Sequence, residues 1–330
     1  MPIILSMIIS ARVEIWSVAG SFVIARGSKT EVAVVVVEIA ADGVIGRGEA
    51  TPIYYHGETA ESCAAQVRGW SRPLRHDAIL AGMPMGAARN ALDAALWDYE
   101  AKRTGVSAAQ AAGKDRLRPL ESAITVSLAD PEAMRARAAE KAALGHRLIK
   151  LKLSGEGDLE RVAAVRAGAP DARLVVDANE AWTGLDVAAM ATGLLPYGVE
   201  LIEQPVKAGE DHLLDGVRSP IPLCADESCQ DRSDLARCVG RYQAINIKLD
   251  KAGGLTEALA LASEARAAGL KLMVGCMLST SLGIAPAWLV AQGADWVDLD
   301  GPLLLARDRA GGCTLKGGLL HPPTQGFWGD

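Results

Sequence analysis

Three carboxylates and two lysines close five short apolar runs in the second half of the chain, at nearly even spacing. The runs are residues 149–153 (IKLKL), 174–179 (LVVDAN), 201–205 (LIEQP), 223–228 (LCADES) and 245–250 (INIKLD). From Lys152, the markers Asp177, Glu203, Asp226 and Lys248 follow at steps of 25, 26, 23 and 22 residues. One strand, one helix and two short loops fill such a step, so a parallel βα repeat brings all five to one end of one sheet. Neighbouring strands lie about 4.8 Å apart, close enough for Asp177, Glu203 and Asp226 to converge on one ion. Unneutralised, they would repel one another strongly. An all-oxygen donor set selects a hard cation, Mg²⁺, one per subunit, with water or substrate oxygens completing its octahedron. Asn179, Glu180 and Glu227 stand beside these ligands in sequence and can orient them. Capping of the following helix is the plain alternative for any one carboxylate taken alone.

Lys150 and Lys152 point to the same face of their strand, because side chains alternate. Mutual repulsion, the metal charge and partial burial are expected to lower a lysine there toward the working pH. Lys248 and Asp250 repeat the i, i+2 pattern on the sixth strand, where Asp250 would hold Lys248 in place. Strands two and six of an eight-stranded barrel are opposite, so Lys152 and Lys248 would flank a substrate α-carbon. A metal-bound carboxylate stabilises the enolate left when its α-proton departs. One base then gives elimination or isomerisation. A base on each face gives racemisation or epimerisation. A solvated strand-end charge is the plain alternative for each lysine.

The elements needed to position these groups are readable. The first barrel strand is placed at 122–127, with LMVGCM at 272–277 as the seventh and WVDLD at 296–300 as the eighth. Thr125, Cys276 and Asp298 complete the series of strand-end markers, at steps of 27, 28 and 22 residues. Helices are expected at 131–144, 158–167, 184–195, 210–218, 232–240, 254–268 and 282–292. The fold class is therefore α/β, a (β/α)7β barrel at 121–302. An open doubly wound sheet is the rival, but none of these strands is followed by a Gly-rich phosphate turn. Residues 1–120 lack the rhythm. Strands at 10–18 and 31–41, a turn at Asp42-Gly43, a strand at 44–50 and helices at 59–70 and 85–103 make an α+β unit of its own. A C-terminal tail, 303–330, is expected to pack back on it in place of a last helix. Residues 51–59, with His56 and Glu58, sit where a lid loop would shape specificity.

Composition narrows the partners. A 330-residue chain, half hydrophobic and 22% charged, is globular. A net charge of −6 without a basic run argues against nucleic acid or anionic lipid. The six cysteines contain no C-x-x-C and suit a reducing cytoplasm. The apolar start has no basic residues ahead of it, unlike a signal peptide, and no run is long enough to span a membrane. Homo-oligomerisation is left open.

Taken together, Lys150-Leu151-Lys152, Asp177-Ala178-Asn179, Glu203-Gln204-Pro205, Asp226-Glu227-Ser228 and Lys248-Leu249-Asp250 resemble the enolase superfamily, in its muconate-lactonizing subgroup. The resemblance implies that the α+β unit at 1–120 is an N-terminal capping domain, that Asp177, Glu203 and Asp226 bind Mg²⁺ and that Lys152 and Lys248 are the acid/base pair. Asp298-Leu299-Asp300, with the runs at 275–281 and 22–28, resembles the dipeptide epimerases of that superfamily. This implies epimerisation of the C-terminal residue of a small dipeptide, L-Ala-D-Glu/L-Ala-L-Glu, as in recycling of cell-wall peptides. Asp298 and Asp300 would pair with the dipeptide's ammonium, although a turn-forming cap is the plain alternative for them. Arg26 would grip the side-chain carboxylate with a bidentate fork. Thr125, Lys150 and Cys276 would complete the substrate contacts. Cycloisomerisation or dehydration on the same site, and a non-catalytic barrel scaffold, are the rival functions.

Overall fold

The computed structural model describes residues 7–24, 27–114 and 116–330. Arg26 lies outside them. The chain opens with a long antiparallel hairpin, β1 (Ile8–Ile24) and β2 (Gly27–Ala41), and β3 (Val44–Ala50) adds to the far edge of β2. β-Branched residues favour such strands, and here both faces of β2 are covered. Val34, Val35, Val36 and Val37 are all fully buried. Alternation sends Val32, Val34 and Val36 into the barrel's core, and Val35, Val37 and Ile39 against the capping helices.

Those helices are α1 (Ala60–Arg68), α2 (His76–Gly82), α3 (Ala87–Thr104) and the short α4 (Ala108–Ala111). The alanine-rich face of α3 lies directly on β3. A Cβ at Gly46 or Gly48 would run into the α3 backbone at Ala95 and Ala91. Glycine at those two positions is what permits the close approach.

The barrel alternates β4 (Ile124–Val126), α5 (Pro131–Ala143), β5 (Leu148–Lys152), α6 (Asp158–Gly168), β6 (Arg173–Asp177), α7 (Val187–Leu194) and β7 (Val199–Glu203). It continues through β8 (Leu223–Ala225), α8 (Leu235–Cys238), β9 (Ala244–Ile247), α9 (Leu249–Ala252), α10 (Leu255–Ala267), β10 (Lys271–Gly275), α11 (Ser281–Ala291) and β11 (Trp296–Asp298). The eight strands are parallel neighbours in chain order. The ring closes where Ser122 bridges Val297 and Ala123 N donates to Val297 O at 2.7 Å. The helix expected at 210–218 is only one 3-10 turn, Asp211–Leu214. Asp211 turns inward instead, accepting hydrogen bonds from Ser228 Oγ and, at 2.6 Å, from Tyr242 Oη. Only a 3-10 turn, Gly301–Leu304, follows β11, with no α-helix after it. A small hairpin, β12 (Thr314–Lys316) and β13 (Leu319–His321), precedes the C-terminus. There Gly329 N donates to Asp98 Oδ1 at 2.6 Å and Trp328 Nε1 to Ala94 O at 3.2 Å, both on α3.

One residue from each strand or its approach builds an apolar floor inside the barrel: Ala123, Leu148, Val175, Leu201, Cys224, Ala244, Met273 and Trp296. Inward-facing positions recur every second residue, so the next inward layer is fixed by counting two onward.

Candidate active site

Counting two from each floor residue gives Thr125, Lys150, Asp177, Glu203, Asp226, Asn246, Gly275 and Asp298. This layer is polar yet buried: Asp177 is 0% exposed, Glu203 and Lys150 1% and Asp226 2%. Lys150 Nζ sits among three acids, 2.5 Å from Glu203 Oε2, 2.9 Å from Asp298 Oδ2 and 3.3 Å from Asp177 Oδ2. Asn246 donates from Nδ2 to Glu203 Oε1 at 2.7 Å. Any side chain at Gly275 would collide with Asn246.

One step higher stand the two outer lysines. Lys152 Nζ donates to Asp177 Oδ2 at 2.6 Å, and Lys248 Nζ to Asp226 Oδ2 at 2.6 Å. β5 and β9 are four strands apart in the ring, so these amines approach the carboxylates from opposite sides. Both line a cavity of about 310 Å³ between the barrel mouth and the capping domain. Asn179, Asp226, Glu227 and Cys276 share its wall, and the β1–β2 hairpin, Thr51 and Tyr54 cover it. Thr125, Asp298 and Asp300 lie outside this lining. Asp300 Oδ2 accepts from Thr125 N at 2.7 Å, and Asp298 Oδ1 is buried without a hydrogen-bond partner.

Charge settles unevenly over the cluster. Burial opposes the Lys150 ammonium, yet Asp298, Glu203 and Asp177 outweigh it and hold the group well above the ordinary lysine value. Lys248 is likewise buried but held well above it by Asp226 and Glu203. Lys150 thus departs from the lowering expected on its strand: the carboxylates around it outnumber the neighbouring amines. Asp177, despite burial, is drawn down to about 2 by Lys152 and Lys150. Burial and then Asp177 push Glu203 up to about 7.

Asp250 also differs from expectation. It lies in α9, not on a strand, and does not hold Lys248. Its Oδ1 accepts from Thr51 N at 2.9 Å and Asn90 Nδ2 at 3.0 Å, which ties the capping domain to the barrel. Burial pushes it up to about 7.

Three contributors are illegible in the motifs alone. Asn246 is findable by counting two back from Lys248, as Lys150 is from Lys152. Lys251, fully buried in α9, reaches Asp226 Oδ1 at 2.7 Å. Gln204, in a left-handed backbone at φ 37°, accepts from the backbone N–H groups of Asp226 and Ser228 at 2.8 and 3.1 Å. It thereby fixes the loop that carries Asp226.

Among the described residues, no three acidic, His or Cys side chains converge into a cation site by themselves, for ammonium groups stand between the carboxylates. The donor chemistry nonetheless fits a hard divalent ion. Glu203 Oε2 and Asp226 Oδ1 accept no well-aligned hydrogen bond, although Lys150 and Lys251 are at ion-pair distance. Buried carboxylate oxygens without hydrogen bonds are the hard donors that such an ion takes.

The barrel, its cap and this layer of acids and lysines define an enzyme of the enolase type. Residues 133–324 match the family described as enolase C-terminal domain-like, and residues 8–113 the mandelate racemase / muconate lactonizing enzyme N-terminal domain. The chain belongs to this family. Its relatives include isomerases that act on dipeptides. The L-Ala-D/L-Glu epimerase of Escherichia coli (strain K12) is 44% identical over 93% of this chain and 97% of its own. A crystal structure of an enolase family member from Agrobacterium tumefaciens, with bound sodium and L-Ala-L-Glu, superposes with a TM-score of 0.93 at 44% identity, covering 98% of this chain and 100% of that one. The dipeptide epimerase of Cytophaga hutchinsonii, solved with Mg and D-Ala-L-Val, gives a TM-score of 0.88 at 28% identity, covering 97% and 94%.

Proposed function

We propose that this protein is a Mg²⁺-dependent dipeptide epimerase that inverts the α-carbon of the C-terminal residue, interconverting L-Ala-L-Glu and L-Ala-D-Glu. The observation that carries this reading is the placement of Lys152 and Lys248 on opposite strands, both facing one cavity across the carboxylates. Asp177, Glu203 and Asp226 are the residues to hold the cation, which supplies the positive charge that acidifies a carbonyl-adjacent proton. Lys152 and Lys248 exchange roles with direction: one takes the α-proton from its face, the other delivers a proton to the opposite face. Lys150, buried among Glu203, Asp177 and Asp298, keeps the acids at fixed spacing. Asp298 and Asp300 are the residues assigned to the dipeptide's ammonium, and Asp298 Oδ1 accepts no hydrogen bond within the chain. Six unpaired cysteines support a reducing compartment, and we place the activity in cytoplasmic recycling of cell-wall peptides. No helix among the described residues is long and apolar enough to cross a membrane.

The test is proton NMR of L-Ala-L-Glu with the protein and Mg²⁺ in D₂O. The Glu α-proton signal should fade while deuterated L-Ala-D-Glu accumulates, and EDTA should stop both. Exchange without inversion would refute the two-base assignment. No exchange on any dipeptide would refute the reaction class.

A further inference from the structure

The two lysines assigned to proton transfer are held in place by different means. β5 runs through Lys152, whose ladder partner is Asp177, and Leu153 N donates to Asp177 O at 2.9 Å just beyond it. β9 stops at Ile247, so Lys248 has already left the sheet. Lys248 is instead the N-cap of the single-turn helix α9, and its carbonyl accepts from Ala252 N at 3.0 Å. Its position therefore follows that turn rather than the ladder. The capping helix α3 grips the turn with one face. Arg89 donates from Nη2 to Ala252 O at 2.6 Å and from Nε to Gly253 O at 3.0 Å. Asn90 Nδ2 donates to Asp250 Oδ1 at 3.0 Å, and Asp93 Oδ2 accepts from Thr256 N at 2.9 Å. The approach is close: a Cβ at Gly253 would strike the Arg89 guanidinium, and one at Gly254 the Asp93 carboxylate. Arg89 is buried and has no ion pair with any acid among the described residues. Its remaining acceptors, Leu80 O and Met83 O at 3.4 Å, lie at the end of α2. A buried cation is costly, and here its donors satisfy the open carbonyl ends of two helices. Arg89, Asn90 and Asp93 do not line the cavity. Among the described residues, no side chain of α3 hydrogen-bonds to β5 or to residues 153–158.

We propose that Arg89 and Asn90 are positioning residues for one of the two bases: from the capping domain they fix the α9 turn, and so set Lys248, and not Lys152, at its distance from the substrate α-carbon. The inference rests on the two-base epimerase reading and goes beyond it by making the capping domain the support of a single base. Neither residue touches the reacting atoms, so their loss displaces Lys248 without removing it. A misplacement of about 1 Å at a reacting group costs up to about 100-fold in rate. The signature is one-sided: proton removal slows on the face of the α-carbon that Lys248 serves and continues on the face that Lys152 serves. Lys251 stands in the same turn and pairs with Asp226. A disturbance passing through that contact instead would act on the metal ligands and slow both faces alike.

The experiment follows α-proton exchange in D₂O by NMR, separately on L-Ala-L-Glu and L-Ala-D-Glu, with the Mg²⁺-loaded full-length wild type, Lys248→Ala and Arg89→Met. Lys248→Ala identifies the epimer that depends on Lys248. Arg89→Met should slow exchange of that epimer about 10- to 100-fold in kcat with KM within about threefold, and leave the other epimer within about twofold of wild type. The spared epimer reports an intact fold and a loaded metal site. Should Arg89→Met fail to fold, Asn90→Ala decides instead, because Asp250 keeps its hydrogen bond from Thr51 N. The same one-sided loss in that variant supports the assignment. Equal slowing of both epimers, slowing of the opposite epimer, or no slowing of either overturns it and leaves the epimerase reading standing. A wild type that exchanges no dipeptide α-proton, or a Lys248→Ala that favours neither epimer, defeats both.

Discussion

Lys251→Met is the most informative single change for the barrel. Lys251 Nζ is an ammonium with its hydrogen bonds saturated in the interior. It pairs with Asp226 Oδ1 at 2.7 Å and donates to Cys229 O at 2.9 Å, Asn246 O at 3.1 Å and the Asp226 carbonyl. Methionine fills similar space without charge. Removing one partner of a buried ion pair costs about 3–5 kcal/mol, and each carbonyl left without a donor about 1–3 kcal/mol more. Lys248 still pairs with Asp226 Oδ2 and Cys229 N still reaches the Asp226 carbonyl, which together with local relaxation leaves a loss of about 4–6 kcal/mol. At about 2.1 cal/mol/K per residue, the unfolding entropy of a 330-residue chain is about 0.7 kcal/mol/K, so Tm should fall by about 6–9 °C. Differential scanning calorimetry at pH 7.5 is the assay, with the exposed Lys316→Met as a control that should stay within about 1 °C. A Lys251→Met shift below about 2 °C would refute the reasoning, because it would mean Asp226 is neutralised without Lys251.

Lys152→Ala and Lys248→Ala should each reduce epimerisation by about 10²–10⁴-fold. By NMR each should retain α-proton exchange on one epimer only, and the two variants on opposite epimers; a shared preference would count against the two-face arrangement. Asp250→Asn keeps the Oδ1 acceptor for Thr51 and Asn90 but removes the ionisation. Asp250 titrates near 7 when folded and near 3.9 when unfolded, so its stabilising share is complete below about pH 4 and lost as pH rises through 7. The melting temperature of Asp250→Asn relative to wild type should therefore be higher at pH 8 than at pH 4.5, the full swing being on the order of 4 kcal/mol. A difference independent of pH would remove Asp250 from the titrating groups. Gly48→Ala drives a methyl into the α3 backbone and should destabilise by about 1–3 kcal/mol or more, measured as loss of Tm. Unchanged melting would show that α3 can withdraw from β3.

Much of the barrel is readable because its logic is local and periodic. An apolar run ending in a charged residue marks a strand leaving the core, and the repeat of such runs orders Lys152, Asp177, Glu203, Asp226 and Lys248 around one ring. Residues 248–251 (KLDK) read differently. Alternation over four residues fits a strand or a single helical turn equally well, and the chain takes the turn, ended by Gly253 at φ 75°. That puts Asp250 against the cap and Lys251 beneath Asp226. The 210–218 helix fails for a related reason: its pattern is helical, but Asp211 gains buried partners in Ser228 and Tyr242 that a helix would deny it. That Lys29 lines the cavity depends on a hairpin register and on where the cap docks, which no window of sequence contains.

The two-sided burial of β2 bears on how this enzyme can change over generations. With Val32, Val34 and Val36 given to the barrel and Val35, Val37 and Ile39 to the capping helices, the sheet has no face that belongs to one module alone. Recombination that joins this cap to a foreign barrel would have to carry matching apolar surface on both sides at once. The hairpin tip beyond the valines, where Phe22 and Lys29 meet the cavity, carries no such double obligation. New substrates are therefore more readily acquired by point changes at the tip than by exchange of whole caps.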